Sequence, residues 1–256
     1  HGIQLSGDRA EVLQLAEHAD IPFALTLLGM GAAPATHPLS LGMMGMHGET
    51  WVNQAIQDAD LLIALGMRFD DRVTGRLKAY APNAKKIHVE IDASELNKLV
   101  PVDVALHADL KEVLTALLPA VQKRSHADWR ERIHTWRGDS AVRDIKNMPD
   151  DGHLYAAHVM HDLWKITKGD AVVVSDVGQH QMWEAQYYHH DAERSLITSG
   201  GSGTMGFALP AAIGAKLARP DAEVWVVAGD GGFQMTFAEL MTSVQEKVKV
   251  NIAVIN

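Results

Sequence analysis

The sequence predicts an α/β protein made of two doubly wound parallel-sheet domains. Short apolar strands alternate with helical stretches along the chain, and the strand ends carry glycines, acids or arginines rather than hairpin turns. The stretch over 223–256, EVWVVAGDGGFQMTFAELMTSVQEKVKVNIAVIN, shows the pattern most clearly. Its β-branched run from Val224 to Val227 reads as a buried strand. The strand ends in Gly229-Asp230-Gly231-Gly232, where missing Cβ atoms let the backbone approach a bulky ligand. Phe237, Leu240, Met241 and Val244, at i, i+3, i+4, i+7 spacing, then predict an amphipathic helix. A second apolar run, Val250 to Ile255, reads as the neighbouring parallel strand, with Asn256 at its end. Asp230 and Asn256 thereby share one carboxyl edge, the place where open α/β sheets bind ligands. A carboxylate and an amide oxygen suit a hard cation such as Mg²⁺, which keeps waters and bridges to phosphates. Gly-Asp-Gly by itself is more often a plain turn, so the flanking strands carry the weight.

Composition narrows the classes. With 256 residues the chain can bury one large or two moderate cores. Hydrophobic content of 47% and charged content of 21% fit a soluble globular protein. A net charge of -9 argues against a nucleic-acid or anionic-membrane surface. The absence of cysteine removes disulfides, thiolate metal sites and cysteine nucleophiles. No apolar run approaches the ~18 residues of a membrane helix, and the opening residues do not read as a targeting segment. The histidines and methionines are scattered and show no zinc-ligand spacing on a convincing helix.

Along the chain, Ser6 or Asp8 is a candidate cap for a helix through Ala10, Leu13 and Ala16 to His18. Pro22 to Leu28 reads as a strand. An irregular, glycine- and methionine-rich loop is expected from Ala32 to Glu49, a length usually kept for function. Thr50 to Asp58 reads as a helix, Leu61 to Leu65 and Lys86 to Ile91 as strands, and Val102 to Ala108 as a short strand. Asp109 then opens a helix through Leu110, Val113, Leu114 and Leu117. Acids at such strand ends bond ribose hydroxyls, and arginine clamps pyrophosphate. Arg68, Asp70, Asp71, Arg72, Glu90, Asp92 and Asp109 therefore suggest a nucleotide-binding edge, with salt bridges and helix caps as the plainer alternative.

From Pro119 to Asp151 the sequence is charged and helical in pattern, and reads as a connector. A helix through Leu154, His158, Leu163 and Ile166 opens the second domain. Ala171 to Ser175 is a strand tipped by Asp176-Val177-Gly178-Gln179-His180, with Asp176 a plausible cap for the following helix. The glycine-rich run Ser199 to Gly206 precedes the small-residue helix Ala208 to Ala218. The expected domains are thus 1–119, a connector over 120–151, and 152–256. Both ends fall inside βαβ units, so a piece of a longer protein is expected, with the first strand of the opening domain upstream.

Gly-Asp-Gly followed by Asn256 resembles the diphosphate-anchoring motif of thiamine-diphosphate enzymes. HPLSLGMMGMHG together with GMRFDDRVTG is similar to the FAD-binding middle domain of acetohydroxyacid synthase (acetolactate synthase) large subunits, and the two resemblances cover nearly the whole chain. By this resemblance Val177, Gly178, Gln179, His180, Gly203, Thr204, Met205, Gly229, Gly231 and Gly232 would hold thiamine diphosphate, and Asp230 and Asn256 would hold Mg²⁺. The family's usual side-chain ligand is the residue after the one matching Asn256. Thr26, Leu27, Met46, His47, Gly66, Arg68, Asp70, Val73, Glu90, Ile91 and Asp109 would contact FAD. The sequence departs from the family at Met67, Ala108, Ser202 and Thr204 and keeps Met205, the residue that would wedge the bent cofactor. The implied reaction is decarboxylation of pyruvate and its condensation with a second 2-ketoacid, on the branched-chain amino-acid route, in the cytoplasm. The resemblance places the activating glutamate in an N-terminal domain outside these residues, supplied by the partner copy. A homodimer or tetramer, with a possible regulatory small subunit, is implied. Other readings are a sister carboligase or oxidase, a non-catalytic nucleotide-binding relative, and an NAD-dependent dehydrogenase. The last is disfavoured because no intact G-x-G-x-x-G follows a first strand.

Overall fold

The structure is a computed structural model that describes residues 1–140 and 152–256. The chain divides into two compact units, His1–Met148 and Pro149–Asn256.

In the first unit, α1 (Gly2–Ser6) and α2 (Arg9–Ala19) lead to β1 (Phe23–Leu25). Asp8 stands at the start of α2, yet its side chain makes no capping bond. The strand expected from Pro22 to Leu28 is shorter, because a 3-10 turn at Leu27–Gly29 takes its second half. β2 (Ser40–Met43) pairs with β1 in parallel, which corrects the irregular loop expected over 32–49. A four-residue strand containing glycine shows neither apolar alternation nor β-branched enrichment, so its pairing with β1 had no local signature. α3 (Thr50–Asp58) and β3 (Leu61–Leu65) fall where expected. The short α4 (Asp71–Thr74), β4 (Lys85–Glu90), β5 (Val104–His107) and α5 (Leu110–Leu117) follow. β3, β4 and β5 form a parallel sheet in that order, Leu65 lying beside Val89 and Glu90 beside His107. The segments after these strands therefore emerge at a common edge.

α6 (Ala127–Ser140) lies in the stretch read as a connector, and it is docked. Ile133 is 3% exposed and belongs to the core containing Trp51, Val52 and Ile56 of α3. Trp129 and Trp136 meet edge to face at 5.7 Å beside it. Asp20, just past α2, accepts the His126 N–H at 2.6 Å and pairs with Arg130 at 3.0 Å. A charged helix can bury so narrow a stripe because only one side of it meets a partner.

The second unit runs α7 (Ala156–Thr167), β6 (Val172–Ser175), α8 (Gln179–Tyr187), β7 (Leu196–Thr198), α9 (Ala208–Ala218), β8 (Val224–Gly229), α10 (Asp230–Thr236), α11 (Leu240–Gln245) and β9 (Asn251–Ile255). Its sheet is parallel throughout, in the order β7-β6-β8-β9. β6 is buried at every position, as an interior strand covered by helices must be. α9, rich in alanine, presses Leu209, Ala212 and Ile213 onto Val172, Val174 and Val226. Expectations for two helical faces are corrected. Leu154 lies outside α7 and Ile166 is 77% exposed, while Ala157, Met160 and Leu163 form the buried face. The single amphipathic helix expected through Phe237 is broken into α10, a 3-10 turn at Phe237–Glu239 and α11. A 3-10 turn has a tighter angular period than an α-helix, so the apolar spacing no longer traces one stripe. Phe237, Met241 and Val244 are 56%, 69% and 73% exposed.

Candidate functional site

In the sheet of the second unit, β6 connects through α8 to β7 on one side, while β8 connects onward to β9 on the other. The chain reverses its sense of winding between β6 and β8, and such a switch point opens a crevice at the carboxyl ends of the strands. The residues there are Asp176 to His180 after β6 and Gly229 to Gly232 at the end of β8.

The register pairs Gly229 with Ile255, so Asp230 and Asn256 are the first residues beyond the ends of adjacent parallel strands. Both are exposed. A carboxylate and an amide side by side supply only part of a coordination shell. That matches Mg²⁺, whose remaining positions are taken by water and phosphate. Among the described residues no group of three or more His, Cys, Asp or Glu could hold a metal ion.

His180 lies 6% exposed behind this edge. Its ring fills a slot between two glycines, since a Cβ on Gly178 or Gly229 would come within 2.8 or 3.0 Å of it. Its Nε2 accepts the Gly229 N–H at 3.3 Å, which puts the ring proton on Nδ1. Burial pulls the His180 pKa below the ordinary histidine value, opposed by the charge of Asp176, a hydrogen bond to the Asp176 backbone and the charge of Asp230. The imidazole is therefore a neutral acceptor for the Gly-Asp-Gly turn.

The glycine-rich loop lies against the same turn. The Met205 methyl group is 3.6 Å from where a Gly231 Cβ would stand, and Met205 is 45% exposed. Ser199 anchors the loop, its carbonyl accepting from Gly203 N–H at 3.1 Å and its hydroxyl from Thr204 N–H at 3.1 Å. Gly203, Thr204 and Met205 are left exposed, as are Gln179 and Asp230, while Val177, Gly178 and Gly231 are half-buried and Gly232 is buried. Open backbone at helix starts, a Cβ-free turn and an oxygen ligand pair fit thiamine diphosphate with Mg²⁺.

Asp176 departs from its expected role as the cap of its own helix. α8 starts from Gly178 without a side-chain cap. The Asp176 carboxylate, 1% exposed, accepts instead from Val177 N–H at 2.7 Å, Gly206 N–H at 3.0 Å and Ala208 N–H at 3.2 Å. Sequence reasoning missed this role; the available signal was an acid closing a fully apolar strand with a glycine-rich loop downstream.

In the first unit the expected nucleotide residues also gather at strand ends. Thr26 and Leu27 follow β1, Met46 and His47 follow β2, Gly66 to Val73 follow β3, Glu90 and Ile91 close β4, and Asp109 follows β5. The Met46 N–H donates to the Arg72 carbonyl at 2.6 Å, and Arg72 Nη1 reaches the Met46 sulfur at 3.4 Å, which ties the β2 and β3 segments together. Several carboxylates serve local structure. Asp70 caps α4 through Val73 N–H at 3.1 Å and pairs with Arg68 at 3.2 Å. Asp109 caps α5 through Lys111 N–H, and Glu90 accepts from Ile91 N–H, both at 2.9 Å. Met46 and Ile91 remain 57% and 64% exposed, and the Arg68 side chain after β3 is exposed as well. Apolar side chains and a cation around a strand edge fit a flavin nucleotide.

Comparison with known proteins gives a family for both units. Residues 1–117 match the family described as thiamine pyrophosphate enzyme, central domain, and residues 176–256 match its C-terminal TPP binding domain. The chain is 46% identical over 257 residues to an acetolactate synthase of Mycobacterium bovis, which spans 98% of this chain and 42% of the relative. It is 44% identical to the acetolactate synthase large subunit of Lactococcus lactis, over 100% of this chain and 44% of that protein. With the isozyme 1 large subunit of Escherichia coli the identity is 42%, over 96% of this chain and 43% of the relative. The chain thus spans less than half the length of these relatives. Two domain matches and identity of 42–46% over 96–100% of the chain agree: the chain belongs to the thiamine pyrophosphate enzymes, as a homologue of acetolactate synthase large subunits.

Proposed function

We propose that this chain is the middle and diphosphate-binding part of an acetolactate synthase catalytic subunit. The observation that carries the reading is the β6–β8 switch point, where Asp230, Asn256, the Gly229–Gly232 turn and the Met205 loop converge in a chain homologous to acetolactate synthases along its length. Asp230 and Asn256 hold Mg²⁺ against a diphosphate, and the backbone amides after Gly178 and Gly229 favour its negative charge. His180 stays neutral and holds the turn. Gly203, Thr204 and Met205 offer backbone and a thioether to the rings of the cofactor. When bound, thiamine diphosphate supplies the carbanion chemistry that decarboxylates pyruvate and joins the remainder to a second 2-ketoacid. FAD is held at the edge formed after β1 to β5, by Thr26, Leu27, Met46, His47, Gly66, Arg68, Asp70, Val73, Glu90, Ile91 and Asp109. The complete protein is read as a cytoplasmic homodimer or tetramer, and the "large subunit" names of its relatives leave room for a small subunit as partner.

The test measures acetolactate formation from pyruvate by the full-length protein, leaving out thiamine diphosphate, Mg²⁺ and FAD in turn. Activity that needs all three is expected; product formed without FAD would point to a sister carboligase. The 256 residues alone are expected to make no acetolactate, because they span less than half of their relatives.

A further inference from the structure

We propose that Asp176 is a positioning residue that sets the separation between the diphosphate-anchoring turn and the loop carrying Met205. The inference rests on reading the β6–β8 edge as the thiamine diphosphate site. Asp176 is the first residue beyond β6, and its own N–H donates to the Val227 carbonyl at 2.8 Å, which extends the ladder to β8. Its side chain then turns inward and joins its own segment to the Gly206–Ala208 stretch thirty residues further along the chain. Oδ1 holds Val177 N–H at the start of the α8 segment and Gly206 N–H directly after Met205. Oδ2 holds Ala208 N–H at the first turn of α9. On the fourth side lies α10, where a Cβ on Gly232 would fall 3.0 Å from the carboxyl carbon and from Oδ1. Thr236 on the same helix donates its hydroxyl to the Gly206 carbonyl at 3.0 Å.

A carboxylate this buried is costly unless its oxygens are satisfied. Here three backbone donors satisfy it, and all three belong to segments that face the cofactor edge. The chemistry requires two acceptor oxygens. Asparagine at this position would turn an N–H₂ donor toward backbone N–H groups, so one segment would lose its anchor and meet a repelling donor. Because Met205 immediately precedes Gly206, the position of its thioether depends on this carboxylate. At 1% exposed Asp176 acts through Gly206, Ala208 and Val177.

The test compares full-length wild type, Asp176→Asn and a control, Met160→Ala, which removes a buried side chain of α7 from the core it shares with Leu163 and Tyr188. Thiamine diphosphate affinity at fixed Mg²⁺ is read by titration calorimetry, and kcat at saturating cofactor, all below the unfolding midpoint of each variant. Asp176→Asn is expected to bind roughly 10–100-fold more weakly and to lose kcat even when saturated, while Met160→Ala keeps both values. Should Asp176→Asn not accumulate folded, Asp176→Glu, which keeps both acceptor oxygens but moves them one methylene outward, is read in its place and is expected to weaken binding in the same direction. Wild-type affinity and kcat in the folded variant would overturn the proposal for Asp176 alone. Failure of the wild type to bind thiamine diphosphate would overturn it together with the reading of the edge.

Discussion

At the residue scale, the candidate site depends on groups made useful by burial. His180 is an example: in an exposed loop it would titrate near 6.5, whereas here desolvation favours the neutral ring. The sign follows from linkage. The unfolded chain takes up a proton first as pH falls below about 6.5, so this histidine costs stability from there down to its lowered folded pKa, and the loss then levels off. Above that window it contributes no pH dependence. We expect the urea midpoint of the wild type to fall more between about pH 7 and pH 5 than that of His180→Gln. Parallel curves would show that the ring is not held neutral. The residue type was legible in the Val-Gly-Gln-His string, but its contact with Gly229 was not, because those residues meet only when β6 and β8 pair.

At the scale of elements, alternation of strand and helix was readable wherever an element had enough length to show a period. α3, β3 and α9 lie where their patterns place them. The departures have local causes. β2 is short and contains glycine, and the helix after the Gly-Asp-Gly turn is interrupted by a 3-10 turn. α6 shows the opposite error, in which a charged stretch read as a connector packs into a core. Its Ile133 makes this testable: Ile133→Ala should cost about 2–5 kcal/mol of unfolding free energy, the usual range for truncating a buried isoleucine. Equilibrium urea unfolding would measure it. A change within about 0.5 kcal/mol, typical of surface substitutions, would return α6 to the status of a connector.

At the scale of the whole molecule, charge sets the partners. A net charge of -9 leaves no general attraction to polyanions. The protein is therefore expected to pass through a heparin column unretained at pH 7 and low salt, and to bind an anion exchanger under the same conditions. Retention on heparin would reveal a basic face that the totals conceal. Among the described residues no helix is long and apolar enough to cross a membrane.

The sequence by itself determined the fold class, the strand-end placement of the chemistry-bearing residues and the family resemblance, because all three reside in local order along the chain. Only the tertiary structure decided what Asp176 and His180 hold, where the Met205 loop lies and which apolar residues are covered. Those outcomes depend on pairs such as Ser175 with Val227 and Gly229 with Ile255, distant in sequence and joined only by the sheet. A carboxylate that reads as a local cap can then find better donors thirty residues away, at Gly206 and beyond. Buried in low dielectric, it is held by whichever amides the fold brings to it.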